Sequence, residues 1–179
     1  MKLKDKIIID FEIFFKTGKF DFLKLGKTKE WIIHNFPDPD GFDENPDIYR
    51  DPIWRYGNIE LHFNKDELFL IFSDYIDDLD GGNSLELKKW FMGNLDKLNL
   101  SNVISELNKA HIDFHKKKCH IVESAVNIEL QSGVVLGFHL EENEDEDYDN
   151  FLKRCKITNQ DKFRLSSFSL MKKRKVTTH

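Results

Sequence analysis

The chain has almost no alanine: Ala110 and Ala125 are the only two among 179 residues. Alanine is the strongest helix former, so its scarcity argues against an all-helical bundle. Cysteine is nearly as rare. Cys119 and Cys155 cannot build a disulfide framework; they read as reduced thiols of a cytosolic protein, with a single Cys119–Cys155 bridge as the alternative. Long apolar runs are missing too. The longest aliphatic run is Ile7-Ile8-Ile9, and charges interrupt every later apolar stretch. No segment approaches the roughly 20 apolar residues of a membrane span, so no membrane partner is expected. The lysines at the N-terminus open as a signal peptide would, but Asp10 and Glu12 break the apolar region that should follow. A cytoplasmic location is the expectation. No Gly-x-Ser-x-Gly elbow and no Gly-rich phosphate loop occurs, and Gly81-Gly82-Asn83-Ser84 reads as a turn.

What is present is aromatic and charged. Sixteen Phe, three Trp and four Tyr sit in a chain that is 40% hydrophobic and 33% charged. That is enough for a packed core, and it excludes a disordered tail protein. At this length roughly 70% of the unfolded chain's surface can be buried without a metal or disulfide staple. The net charge of −5 conceals an imbalance. Residues 1–150 carry 31 acidic and 18 basic side chains, whereas residues 151–179 carry one acidic and nine basic.

Periodicity predicts mixed α and β structure. Ile7, Phe11, Phe14 and Phe15 share one face of a helix over residues 5–17, with Gly18 as its stop. Thr28 caps a second helix that runs to about Phe36, where Pro37-Asp38-Pro39-Asp40-Gly41 ends it. Residues 37–52 form a long Pro/Asp-rich loop. A strand at 53–56 follows, with Gly57 as a bulge. Ile59, Leu61 and Phe63 alternate with polar residues as in a half-buried strand, 64–67 is a turn, and 68–72 reads as a central strand. Beyond the break at 77–82 a strand is expected at 85–92. A helix from Ser101 carries Val103, Leu107, Ala110 and Phe114 on one face. Two strands at 120–130 and 134–140 are joined by the turn 131–133. Asn58-Ile59-Glu60-Leu61 recurs as Asn127-Ile128-Glu129-Leu130, which suggests duplication. The expected architecture is α+β: two helix-plus-hairpin modules, 1–80 and 81–150, in one mostly antiparallel sheet with helices on one face. A basic extension covers 151–179.

Five clusters could carry chemistry. His111, His115 and Cys119, with His120 next to them, have metal-ligand spacing if the 101–120 helix continues through them, which leaves an enzyme or metal site as the alternative function. Their competing reading is a solvated helix end, because Lys116-Lys117-Lys118 would repel a cation. A Cys/His or Glu/His site assembled across the fold stays open, and no cofactor is expected. Trp54-Arg55-Tyr56 are interface-type residues, but alternation puts Trp54 and Tyr56 on one strand face as core. Acidic side chains gather in three places. Asp38, Asp40, Asp43 and Glu44 line the long loop; Asp74, Asp77 and Asp78 follow the first hairpin; and Glu141, Glu142, Glu144 and Asp145 form the densest run. Such acidity repels nucleic acid and draws a basic protein partner. Lys172-Lys173-Arg174-Lys175 matches a basic import signal, or else a frayed end resting on the 141–149 acidic run.

Residues Gly26-Lys27-Thr28-Lys29-Glu30-Trp31, Pro37-Asp38 and Ile53-Trp54-Arg55-Tyr56-Gly57-Asn58-Ile59-Glu60-Leu61-His62-Phe63 together resemble a family of small bacterial α+β proteins. Some of these are similar to immunity proteins of bacterial toxin systems. The resemblance covers residues 20–76. It departs at Asn35-Phe36-Pro37, where the family has a Leu-Gly-x-Pro-like turn, and at the long loop 37–52. It implies a protein that binds and neutralises a toxin, and it supplies no functional residues. The absence of a catalytic motif and the clustered acidity add the expectation of a non-enzymatic protein whose acidic loops and sheet face do the blocking.

Overall fold

A computed structural model describes residues 6–44, 51–118, 125–141, 143 and 145–173. At the start of the chain, the β-branched run of isoleucines forms strand β1 (Ile7–Asp10), not the first turns of a helix. Asp10 then caps α1 (Phe11–Thr17), accepting from the amides of Glu12 and Ile13 at 3.1 Å each. The helix expected over 5–17 is therefore a strand followed by a shorter helix. Gly18 ends it in the left-handed conformation (φ 68°), as expected. α1 buries Phe11, Phe14 and Phe15, whose rings surround Phe168 at centroid distances of 5.3, 5.9 and 6.2 Å. The Thr28 hydroxyl caps α2 (Lys29–Asn35) through the Trp31 amide.

Eight strands make one antiparallel sheet. In chain order they are β2 (Gly41–Asp43), β3 (Ile53–Tyr56), β4 (Ile59–Asn64), β5 (Glu67–Ser73), β7 (Phe114–Lys118), β8 (Ala125–Leu130), β9 (Val134–His139) and β10 (Arg164–Met171). In space they run β2-β3-β4-β5-β10-β9-β8-β7. The remaining strand, β6 (Leu85–Lys88), pairs in parallel with β1 as a separate two-stranded sheet. Helices α3 (Leu100–Lys109) and α4 (Tyr148–Ile157) complete the fold. It is α+β, with a helix followed by antiparallel strands in each half, as the periodicity predicts.

Several expectations need correction. The loop 37–52 contains β2, which forms the edge of the sheet beside β3. Gly57 is not a bulge: with φ 58° it is part of the two-residue turn between β3 and β4. The strand expected over 85–92 stops at Lys88, and Trp90–Gly93 is a 3-10 turn. Asn99, not Ser101, caps α3, its side chain accepting from the Asn102 amide at 2.9 Å. α3 stops at Lys109, and His111 takes a left-handed φ of 55°. Phe114 therefore leaves the helix and begins β7. That strand was missed because Phe-His-Lys-Lys-Lys has no apolar alternation; lysines are what an edge strand carries. The segment 151–179, expected as an extension, supplies most of α4 and the whole of β10, which joins the two halves of the sheet. Lys172 and Lys173 do not rest on the 141–149 run; Arg174 to His179 lie outside the described residues.

The repeated tetrapeptide does not mark a repeated module. β5 and β9 both run antiparallel to β10 and so point the same way, and β4 and β8 flank them on opposite sides. Leu61 and Ile128 are both fully buried in the same core cluster. The meanders β3-β4-β5 and β7-β8-β9 thus have the same strand directions and core face but the opposite lateral order. They are of opposite hand, and no rotation superposes them.

Candidate functional site

Alternation divides the sheet into two faces. Leu61, Ile71, Phe168, Leu136 and Ile128 are buried, and the helices pack on their side, with the α1 rings around Phe168 and Phe36 against Tyr56. The strand register places the residues of the other face in one transverse row: Gly41, Arg55, Glu60, Phe72, Ser169, Val135, Glu129 and His115, one from each of the eight strands. Its centre is apolar and half-buried, with Leu70 and Met171 in the next row. The repeated tetrapeptide contributes both glutamates. Glu60 and Glu129 are only 8% and 9% exposed, and each is held by its own cations. Glu60 accepts from Arg55 at 2.8 Å and from His62 at 2.7 Å. Glu129 pairs with Lys117, with Lys173 at 3.1 Å and with His115 at 3.5 Å. Hydrogen bonds from Lys117 and then Lys173 hold the Glu129 carboxyl below the usual carboxylate range. Burial pulls the Arg55 guanidinium down, but the hydrogen bond to Asp43 and the charge of Glu60 outweigh it, leaving it raised.

The acidic loops lie at the end of the sheet where β5 and β9 finish and β10 begins. Asp74, Tyr75, Ile76, Asp77, Asp78, His139, Glu141 and Arg164 line a groove of about 340 Å³ there. Two clusters far apart in sequence meet in it. The Arg164 guanidinium bridges Asp77 at 2.8 Å and Glu141 at 3.1 Å. Asp74 and Asp78 are exposed, and their carboxylates have no partner among the described residues. A second hollow of about 290 Å³ shares Glu141 and Arg164 and is lined further by Asp96, Arg154 and Lys162.

Of the remaining acidic candidates, Asp38, Asp40 and Asp43 serve the fold. Asp40 accepts from the Gly57 amide at 2.7 Å and from the amide and side chain of Asn83 at 3.0 and 2.8 Å. That carboxylate ties three loops together. Asp38 carries its backbone carbonyl to the Ser84 hydroxyl at 2.7 Å. Asp43 pairs with Arg55, and Glu44 is exposed beside it. Asp145 is exposed, while Glu142 and Glu144 lie outside the described residues. Within the same run, Glu146 grips Arg154 and Asp147 caps α4.

The proposed metal set does not lie on one helix. His111 is in the turn after α3 and His115 faces Glu129 from β7, while Cys119 and His120 lie outside the described residues. The helix that would have aligned them ends too early. Among the described residues, no group of three or more His, Cys, Asp or Glu is placed to hold a metal ion. Trp54 and Tyr56 are core, as their alternation predicts. Sequence reasoning missed Arg164, Glu60 and Glu129 as site residues, and it named Lys173 without its partner Glu129. The signal for the glutamates was available, since the repeated tetrapeptide puts a charge between two residues of an apolar face. Among the described residues no helix is long and apolar enough to cross a membrane. No protein-family model, curated protein or solved structure matches the chain.

Proposed function

We propose that this is a non-enzymatic bacterial binding protein of the immunity or inhibitor type, which neutralises a toxin by covering a basic surface with its acidic end. The observation that carries the reading is the groove at the end of β5 and β9. It gathers Asp74, Asp77, Asp78 and Glu141 from two distant loops and leaves the Asp74 and Asp78 carboxylates unengaged and exposed. Tyr75, which lines the same groove and lies between them in sequence, is 55% exposed. An exposed tyrosine in a groove with free carboxylates suits an arginine or lysine of a partner, through charge and through the ring face. Blocking of this kind requires no catalytic group: the inhibitor needs only to exclude the toxin's substrate.

The test uses a purified toxin domain encoded beside this gene. Association measured by stopped flow should slow by about tenfold or more between about 0.05 M and 0.5 M salt, because surface charges are screened over about 10 Å at 0.1 M. The double substitution Asp74→Asn/Asp78→Asn should lower the on-rate and flatten that salt dependence while leaving the melting temperature unchanged. A salt-independent on-rate would remove the electrostatic reading. Turnover of substrate by this protein alone would remove the non-enzymatic one.

A further inference from the structure

We infer that the outer edge of β7 is a docking strand for an extended acidic segment of another protein, which joins the sheet as a further antiparallel strand beside Lys116. This is independent of the toxin-binding reading, which uses the end of the sheet and not this edge. The register shows which backbone groups the edge offers. The Gln131 amide donates to the Asp113 carbonyl at 2.9 Å, so Asp113, His115 and Lys117 turn their backbone groups towards β8. Phe114, Lys116 and Lys118 therefore turn theirs outward. β7 ends the strand order, and among the described residues nothing pairs with these outward N–H and C=O groups. The edge is also long enough to be used: β7 has five residues, whereas β2 at the opposite edge has three.

Charge identifies the occupant. Lys117 and Lys173 share one carboxylate, Glu129, and so leave a positive charge in excess. Lys116 is exposed and has no acidic partner among the described residues. Asp113, just before the strand, is a single opposing charge and leaves the edge basic. The same lysines disfavour a second copy. Pairing two copies antiparallel over the whole of β7 sets Lys116 against Lys116, and like charges directly opposite destabilise a strand pair. An acidic strand reverses that sign. Alternation fixes its pattern further. Lys116 pairs with Ile128 and Phe114 with Leu130, so both lie on the core side of the sheet, where Phe114 is half-buried against the core. The partner strand therefore presents a carboxylate opposite Lys116 and an apolar side chain opposite Phe114. In an antiparallel strand the carboxylate comes first and the apolar residue two positions later. Main-chain hydrogen bonds supply the affinity of such an added strand, and these two side chains choose the partner.

The experiment is an NMR titration of the isotope-labelled full chain with the peptide acetyl-Ser-Glu-Thr-Glu-Thr-Val-Ser-amide. Its central Glu falls opposite Lys116 and its Val opposite Phe114. The peptide should bind with a Kd below about 1 mM. With free peptide at about ten times Kd, amide exchange at Phe114, Lys116 and Lys118 should slow about tenfold by mass action. The amides of His115 and Lys117, already bonded to β8, should not change. Methylating the nitrogen of the central Glu removes the N–H that reaches the Lys116 carbonyl and should abolish binding. Methylating the nitrogen of the Thr before it, which points away from β7, should leave binding intact. Lys116→Glu alters an exposed side chain and should keep the melting temperature. It should weaken this peptide at least about tenfold and bind instead the counterpart with Lys in place of both Glu residues. No binding up to about 5 mM would overturn the inference, as would equal binding of the two methylated peptides, or of wild type to the lysine counterpart. An oligothymidylate of equal charge that bound wild type as tightly would make the edge a general polyanion site and overturn it as well. None of these residues lines the acidic groove, so a failure here leaves the toxin-binding test intact.

Discussion

Single residues reveal where the local environment has been bent to the fold. The Tyr56 hydroxyl donates to the Pro37 carbonyl at 2.8 Å inside the core. Burial, reinforced by the negative charges of Asp38 and Asp40, pushes this phenol well above its ordinary 10.0. A group whose folded pKa exceeds its unfolded value contributes stability that is complete below the unfolded value and is lost as pH climbs through the folded one. Wild-type stability should therefore fall above pH 10.0, and Tyr56→Phe should remove that fall. At neutral pH the same substitution should cost about 1–2 kcal/mol, since it leaves the Pro37 carbonyl without its donor; denaturant titrations at both pH values measure each effect. Glu129 has the opposite sign. Its carboxyl is held below 4.5 by Lys117 and Lys173, so its contribution is present above 4.5 and disappears as the pH falls through the folded value. The stability difference between wild type and Glu129→Gln should shrink on acidification below pH 4.5 in thermal melts.

Elements depend on staples that local sequence does not show. Asp40 is the clearest. It lies in the long loop, yet its carboxylate binds the β3–β4 turn and the loop before β6. Gly82, at φ 65°, lets that carboxylate come close; an added Cβ would overlap it and would sit 2.6 Å from the Gly57 nitrogen. Gly82→Ala should therefore destabilise by about 2 kcal/mol or more, from the positive φ and the lost contact together. A Gly82→Ala protein with wild-type denaturation would show that the three loops do not depend on the staple. The β4–β5 turn contains its own strain, because Lys65 and Asp66 both hold positive φ, at 51° and 66°. Such turns prefer Asn-Gly, so Lys65→Asn with Asp66→Gly should raise stability by about 1 kcal/mol, read as a higher denaturation midpoint.

These elements also show how much was legible from sequence. Caps and stops carried by side chains were readable: Thr28 before α2, Gly18 after α1 and the 131–133 turn all stand where spacing puts them. What failed was any element without apolar periodicity. β7 is lysine-rich because it is an edge, and β2 is three residues long in a loop of prolines and aspartates. The candidate site was legible as a list of carboxylates. Which of them are free was not, because Asp40, Asp43, Glu146 and Asp147 are engaged by groups far along the chain or by the helix that follows them.

For the whole molecule, β10 is decisive. It is the strand that hydrogen-bonds to both β5 and β9, and its Phe168 is fully buried against three rings of α1. A chain ending at residue 163 should lose cooperative unfolding altogether, and Phe168→Ala in the full chain should cost about 3–5 kcal/mol by denaturant titration. An intact melt for the truncated chain would mean that the halves fold without their connecting strand. The sequence by itself determined the class of the protein. Sparse alanine, abundant phenylalanine and alternating strands can only be buried in a mixed α/β core, and the uneven charge was present in the composition. The tertiary structure decided how that charge is used, because strand order and register bring together residues that chain distance separates. Arg164 sits between Asp77 and Glu141, Lys173 pairs with Glu129, and Glu60 and Glu129 lie on one face of the sheet, each beside its own cations. Periodicity can say which face of a strand is apolar; which strands lie next to one another is set by long-range packing around Phe168.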